Sequence, residues 1–107
     1  MEKINLMIPI FGLYEINSLK EVFFSIDSSN YLKNGYNLQD RIKIYEDLKW
    51  AQDNPGYDFK GLMDDAPVPY KLKFSNKEIF KYLMDFKNFM EMKDFELLTD
   101  DRDPLIF

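Results

Sequence analysis

The sequence predicts an α/β fold: a small three-stranded, partly parallel sheet with about three helices, in the order β-α-α-β-α-β. Three observations predict it. Apolar residues alternate along 4–10 and again along 68–74, the period of a half-buried strand. Helical spacing opens after start signals at Ser18, Asn37 and Ser75. Strands separated by helices favour a helical layer on a sheet with parallel pairs. The alternative is a mainly α chain with a short sheet.

Residues 3–11 carry Ile4, Leu6, Ile8 and Ile10 on one face of the first strand, with Met7 and Phe11 on the other. Pro9 lacks an amide donor, which places this strand at an edge or ends it there. Ser18-Leu19-Lys20-Glu21 is a capping box, and Leu19, Val22, Phe23 and Ile26 follow at i, i+3, i+4 and i+7, so a helix is expected from here toward Leu32. Asn34-Gly35 stops it, and Ser28-Ser29-Asn30 weakens it within. Asn37 caps a second helix whose buried face is Leu38, Ile42, Tyr45 and Leu48, flanked by Ile44 and Ala51, and Asn54-Pro55-Gly56 ends it.

Residues 57–67 read as a loop or one short turn closed by Ala66-Pro67. Val68, Tyr70, Leu72 and Phe74 then alternate with Pro69, Lys71 and Lys73 as the cleanest strand. Ser75-Asn76-Lys77-Glu78 is a second capping box and opens the strongest helix, with Ile79, Tyr82, Leu83, Phe86, Phe89 and Met90 inward. Phe95 to Thr99 reads as the third strand, Asp100 to Asp103 with Pro104 as an acidic turn, and Leu105-Ile106-Phe107 as an apolar close. The expected core includes Ile42, Tyr45, Leu48, Ile79, Leu83 and Phe86.

A chain of 107 residues fits one domain, 1–107. Its 46% hydrophobic content, with ten Phe, seven Tyr and one Trp, is too apolar for a disordered acidic tail. No Cys means no disulfide and no thiolate metal site, which fits a cytoplasmic protein. The N-terminal apolar stretch is too short and interrupted for a signal peptide or a membrane span. The net charge of −5 disfavours direct nucleic-acid binding and favours a basic partner or plain solubility.

Catalytic groups are scarce. There is no His and no Cys nucleophile, and none of the serines at 18, 25, 28, 29 and 75 stands in a Ser-x-x-Lys pattern. The glycines at 12, 35, 56 and 61 form no phosphate-binding motif. Asp64-Asp65 and Asp100 to Asp103 offer carboxylates but not the central Gly and closing Glu of a calcium loop. The reading is a non-enzyme with no cofactor and no metal; a carboxylate-dependent hydrolase is kept as an alternative.

Binding has better material. At about 100° per residue, Trp50 points almost opposite Leu38, Ile42 and Tyr45, beside Gln39, Lys43 and Glu46. It is either an exposed anchor or a satellite core folded under the Pro55–Phe59 loop. Phe80 and Met84 lie beside the main apolar face of the last helix. Four Asp stand against Lys60 between Asp53 and Asp65, and five acids against Arg102 between Asp94 and Asp103. Converging, these segments would make a negative patch that steers a basic protein. The expected partner-binding residues are Glu46, Asp47, Trp50, Asp53, Asp58, Asp64, Asp65, Asp100, Asp101 and Asp103.

Small size, acidity and missing catalytic groups resemble the immunity proteins of bacterial toxin systems, which bind and occlude a toxic nuclease or effector domain. The element order is similar to that of barstar-like inhibitors, in which the second helix and adjoining loop carry acidic contacts; the matching segment here holds Asp40, Glu46, Asp47 and Asp53. The resemblance implies an intracellular antitoxin-like inhibitor of a basic toxin or nuclease domain. A phage-encoded inhibitor of a host nucleic-acid enzyme is the other binding reading.

Overall fold

Pro9 sits inside a helix and not at the end of a strand. The computed structural model describes residues 4–64, 72–102 and 104. Its first element is a helical run: a 3-10 turn at Ile4–Leu6, helix α1 at Met7–Phe11 and a 3-10 turn at Gly12–Glu15. Leu6, Ile10 and Leu13 are buried at helical spacing. Leu6 and Ile10 satisfy the strand alternation as well, so the apolar run alone does not choose between periods. Pro9 is the third residue of α1, in the first turn, where a missing amide costs little.

The Ser18 capping box forms, with the Asn17 and Ser18 amides donating to the Glu21 carboxylate at 2.6 and 2.8 Å. It opens one 3-10 turn, Leu19–Glu21, and no further. Residues 22–25 run without helix, and Ser25, capped reciprocally by Ser28, starts helix α2 at Ile26–Gly35. The expected helix from Ser18 is therefore broken. Val22, Phe23 and Phe24 are stiff, crowded residues in a helix. The non-helical stretch lays Phe24 flat on Phe89, centroids 4.7 Å apart, and edge-on to Phe86 at 5.7 Å.

Helix α3 spans Leu38–Asp53, capped by Asn37, which accepts the Asp40 amide at 2.8 Å. Its buried residues are Arg41, Ile44, Leu48 and Ala51, whereas Leu38, Ile42 and Tyr45 are half-buried. The expected face is thus turned by about a quarter of a rotation. Helix α4, Phe59–Leu62, is the single short turn expected after Gly56, with Asp58 accepting the Gly61 amide. Helix α5, Asn76–Glu91, carries the expected Ser75–Glu78 capping box and buries every residue of its expected face.

Among the described residues there is no strand. The three-stranded α/β prediction is overturned, and the mainly α alternative fits, with no sheet among the described residues. Leu72 and Phe74 stay buried and Lys73 exposed, but the described part of that expected strand, 72–74, is irregular; 68–71 lie outside the described residues. The expected third strand is a 3-10 turn at Lys93–Phe95 followed by turns, with Glu96 left-handed at φ 54°. A short apolar run without a pairing edge beside it satisfies its backbone locally.

Helix α3 packs on α5, and α1 on α5 as well. Asn76 at the start of α5 meets the loop after α3, donating to the Tyr57 carbonyl at 2.8 Å. The Tyr45 hydroxyl on α3 reaches Glu91 at the end of α5, at 2.6 Å. The two long helices therefore run antiparallel. The Tyr82 hydroxyl donates to the Pro9 carbonyl at 2.6 Å and pins α1 across α5, and burial pushes that phenol's pKa up.

Candidate functional site

The described candidate acids of the two loop segments, Asp53, Asp58 and Asp64 in one and Asp100 and Asp101 in the other, are held at opposite ends of α3, with Glu46 and Asp47 midway along it. Arg41, 0% exposed, is the reason. Its guanidinium donates to the Tyr36 carbonyl at 3.1 Å, to the Leu97 carbonyl at 2.6 Å and to the Asp100 carbonyl. Residues 97–100 are thereby fastened over the N-terminal end of α3. Asp53 stands twelve residues further along, about 18 Å at helical rise. Asp58 and Asp64 follow it at that far end, both exposed. The described residues of the two acidic segments do not converge.

The individual residues divide further. Glu46, Asp53 and Asp101 are exposed and Asp47 is half-buried. Asp58 serves as the cap of α4. Asp65 and Asp103 lie outside the described residues. Asp100 is engaged internally: Arg102 donates to its carboxylate down to 2.6 Å, and Lys33, nearly buried, lies 3.9 Å away. No cluster of three or more acids placed to hold a metal occurs among the described residues.

The Arg102 side chain and amide hold the Asp100 carboxyl down to about 2. Its pKa when unfolded is about 3.9, so its stabilisation is full above about pH 4 and is lost as pH falls toward 2. Asp100→Asn should flatten the fall in melting temperature across that window. Some slope should remain, because hydrogen bonds from Lys87 and Tyr45 hold the Glu91 carboxyl down too. Equal acid sensitivity in wild type and variant would remove the assigned role of Asp100.

Trp50 is half-buried, edge-on to Tyr57 at 5.0 Å, and Tyr57 is edge-on to the buried Phe59 at 5.2 Å. Of the two readings of Trp50, this placement matches the satellite core. Trp50→Ala should lower stability by roughly 1–3 kcal/mol through lost packing and the aromatic pair, checked by denaturant melting. Phe80 is likewise covered, 6.0 Å from Phe59.

Apart from Met92 after α5, the exposed large apolar side chains among the described residues are elsewhere. Phe23 is 80% exposed, Tyr31 74% and Ile26 56%. All three belong to the non-helical stretch and to α2. Phe23 and Tyr31 form the lip of an open groove of about 750 Å³, floored by Phe24, Tyr82, Phe86 and Phe89 and walled on the α1 side by Ile8 and Phe11. Several of its polar groups are already engaged. The Tyr82 hydroxyl donates to Pro9, the Ser28 hydroxyl to the Phe23 carbonyl, and the Glu21 carboxylate accepts two amides.

Sequence reasoning missed this surface because Phe23 fell on the expected inner face of an unbroken helix. A signal was present: Ser25 and Ser28 stand three apart and form a second cap, seven residues after Ser18. Two start signals that close together argue for a break between them. No protein-family model, curated protein or solved structure matches the chain.

Proposed function

We propose that the protein is a small cytoplasmic binding protein of the immunity type, which neutralises a basic toxin or nuclease domain by covering it. The observation that carries this reading is the aromatic lip, Phe23 and Tyr31, standing in solvent over an apolar groove. Large apolar side chains exposed together mark interaction surfaces, and aromatic residues supply most hot spots. Composition supports the sign of the partner, since the chain carries −5. The contact face moves from α3 and the loop after it, where the acids are dispersed, to the stretch before α2 and α2 itself. The immunity-type reading then rests on composition and surface, not on a β-α-α-β-α-β order.

The test uses the whole chain as bait in a lysate of its source cells, beside Phe23→Ala/Tyr31→Ala as control. Both side chains are exposed, so the variant should melt like the wild type. The expected result is a basic protein held by the wild type and bound roughly 30-fold or more weakly by the variant, the size of a hot-spot loss of about 2 kcal/mol. Co-expression with that protein should relieve its toxicity only when Phe23 and Tyr31 are present. Equal capture by both baits, or a captured protein without toxicity, would defeat the proposal.

A further inference from the structure

We infer that the groove receives an amphipathic helix of the partner, its apolar side chains inserted and its flanks carrying Lys or Arg. This rests on the reading that the groove is a protein-contact surface and names the chemistry of what enters it. Three observations lead there.

The first is extent. Phe23 and Tyr31 stand 80% and 74% exposed at the lip, so a small molecule confined to the cleft would leave their outer faces wet. A broader occupant covers lip and cleft together. A helix presenting anchors at i, i+3, i+4 and i+7 spans about 10 Å and projects three or four apolar side chains, a load suited to a cleft of this size.

The second is the backbone. The walls come from α1, α2 and α5, whose main-chain groups are largely used within the helices. In the non-helical stretch 22–25, the Val22 amide donates to Leu19, the Ser25 amide to Ser28, and the Phe23 carbonyl accepts from Ser28. No strand is present among the described residues, so the groove offers side chains more than a sheet edge with which an extended peptide could pair. Side-chain recognition is thereby favoured, and a helix sets three or four apolar anchors on one face within about two turns.

The third is charge. Among the described lining residues the charged ones are Glu21 and Asp27, and none is Lys or Arg. Asp40 lies close enough to help raise the Tyr36 phenol pKa, after burial and Tyr31. Such a rim complements a cationic flank. It also argues against a second copy of this chain, because an isologous contact would set Glu21 and Asp27 against their own equivalents. An anionic membrane surface would meet the same repulsion.

The probe is a synthetic helical peptide of about four turns, Leu on one face and Lys on its flanks, fluorescently labelled and titrated with the intact protein. A second peptide carries Glu in place of every Lys. The expected result is saturable binding of the Lys peptide, weakened about tenfold or more as salt rises from about 0.1 to about 1 M, where screening shortens from about 10 to about 3 Å. Phe23→Ala/Tyr31→Ala should weaken it roughly 30-fold, and Glu21→Gln/Asp27→Asn should shrink the salt dependence. Equal binding of the Glu peptide would overturn the inference. So would saturation of the groove by the apolar dye ANS that neither peptide displaces, or concentration-dependent dimerisation that Phe23→Ala/Tyr31→Ala abolishes. If the Lys peptide fails while lysate capture still requires Phe23 and Tyr31, the helical occupant is wrong and the protein-contact reading stands. Failure of both removes both.

Discussion

Arg41→Met should destabilise the protein by about 3–5 kcal/mol, a large share of the 5–15 kcal/mol common for a domain. Methionine keeps much of the stem but removes the charge and every donor. The carbonyls of Tyr36, Leu97 and Asp100 then lose the guanidinium that reaches all three. A buried carbonyl left without a donor costs about 1–3 kcal/mol. The total is reduced because burying a guanidinium is itself unfavourable. Arg41→Lys should fall between wild type and Met, since an ammonium is a point donor and cannot span the three acceptors as a planar fork does. Hydrogen exchange adds a local readout: the Asp100 amide, bonded to the Glu96 carbonyl at 2.9 Å, should lose protection first. A Met variant within about 1 kcal/mol of wild type would show that the clasp contributes little.

Leu83→Ala should cost about 2–5 kcal/mol by denaturant melting. Leu83 is fully buried on the inner face of α5, in the same cluster as Ile44 and Leu48 of α3 and Leu6 and Ile10 of the N-terminal run. Removing its side-chain branch leaves a cavity where those elements meet, and the loss combines transfer free energy with forfeited contacts. At about 4–8 °C per kcal/mol the melting temperature should fall by about 10 °C or more. Leu83→Met, close in volume, should cost less than about 1.5 kcal/mol. An unchanged melting temperature for Leu83→Ala would place this face of α5 in solvent and invalidate the packing of α3 on α5.

What the sequence determined by itself is local. The caps at Ser18, Asn37 and Ser75 form as read, because each is a hydrogen bond between groups two or three residues apart. The face of α5 was readable because six apolar residues at helical spacing admit one inward side. The stop at Asn54-Pro55-Gly56 follows from backbone chemistry alone.

Tertiary structure decided the rest. Residues 4–11 and 95–99 are short apolar runs compatible with either period, and a strand needs a neighbouring edge that the sequence cannot supply locally. The turn of α3 about its axis depends on Arg41, whose acceptors at Leu97 and Asp100 are 56 and 59 residues away. A pattern that assigns every Arg to solvent turns that helix the wrong way. The same clasp carries Asp100 and Asp101 to the end of α3 opposite Asp53, which splits the expected acidic patch. The break at 22–25, in which Phe23 stands exposed, accompanies the stacking of Phe24 on Phe89. Contacts between neighbours in sequence can be read from the chain, whereas contacts between distant residues form only when the whole core packs.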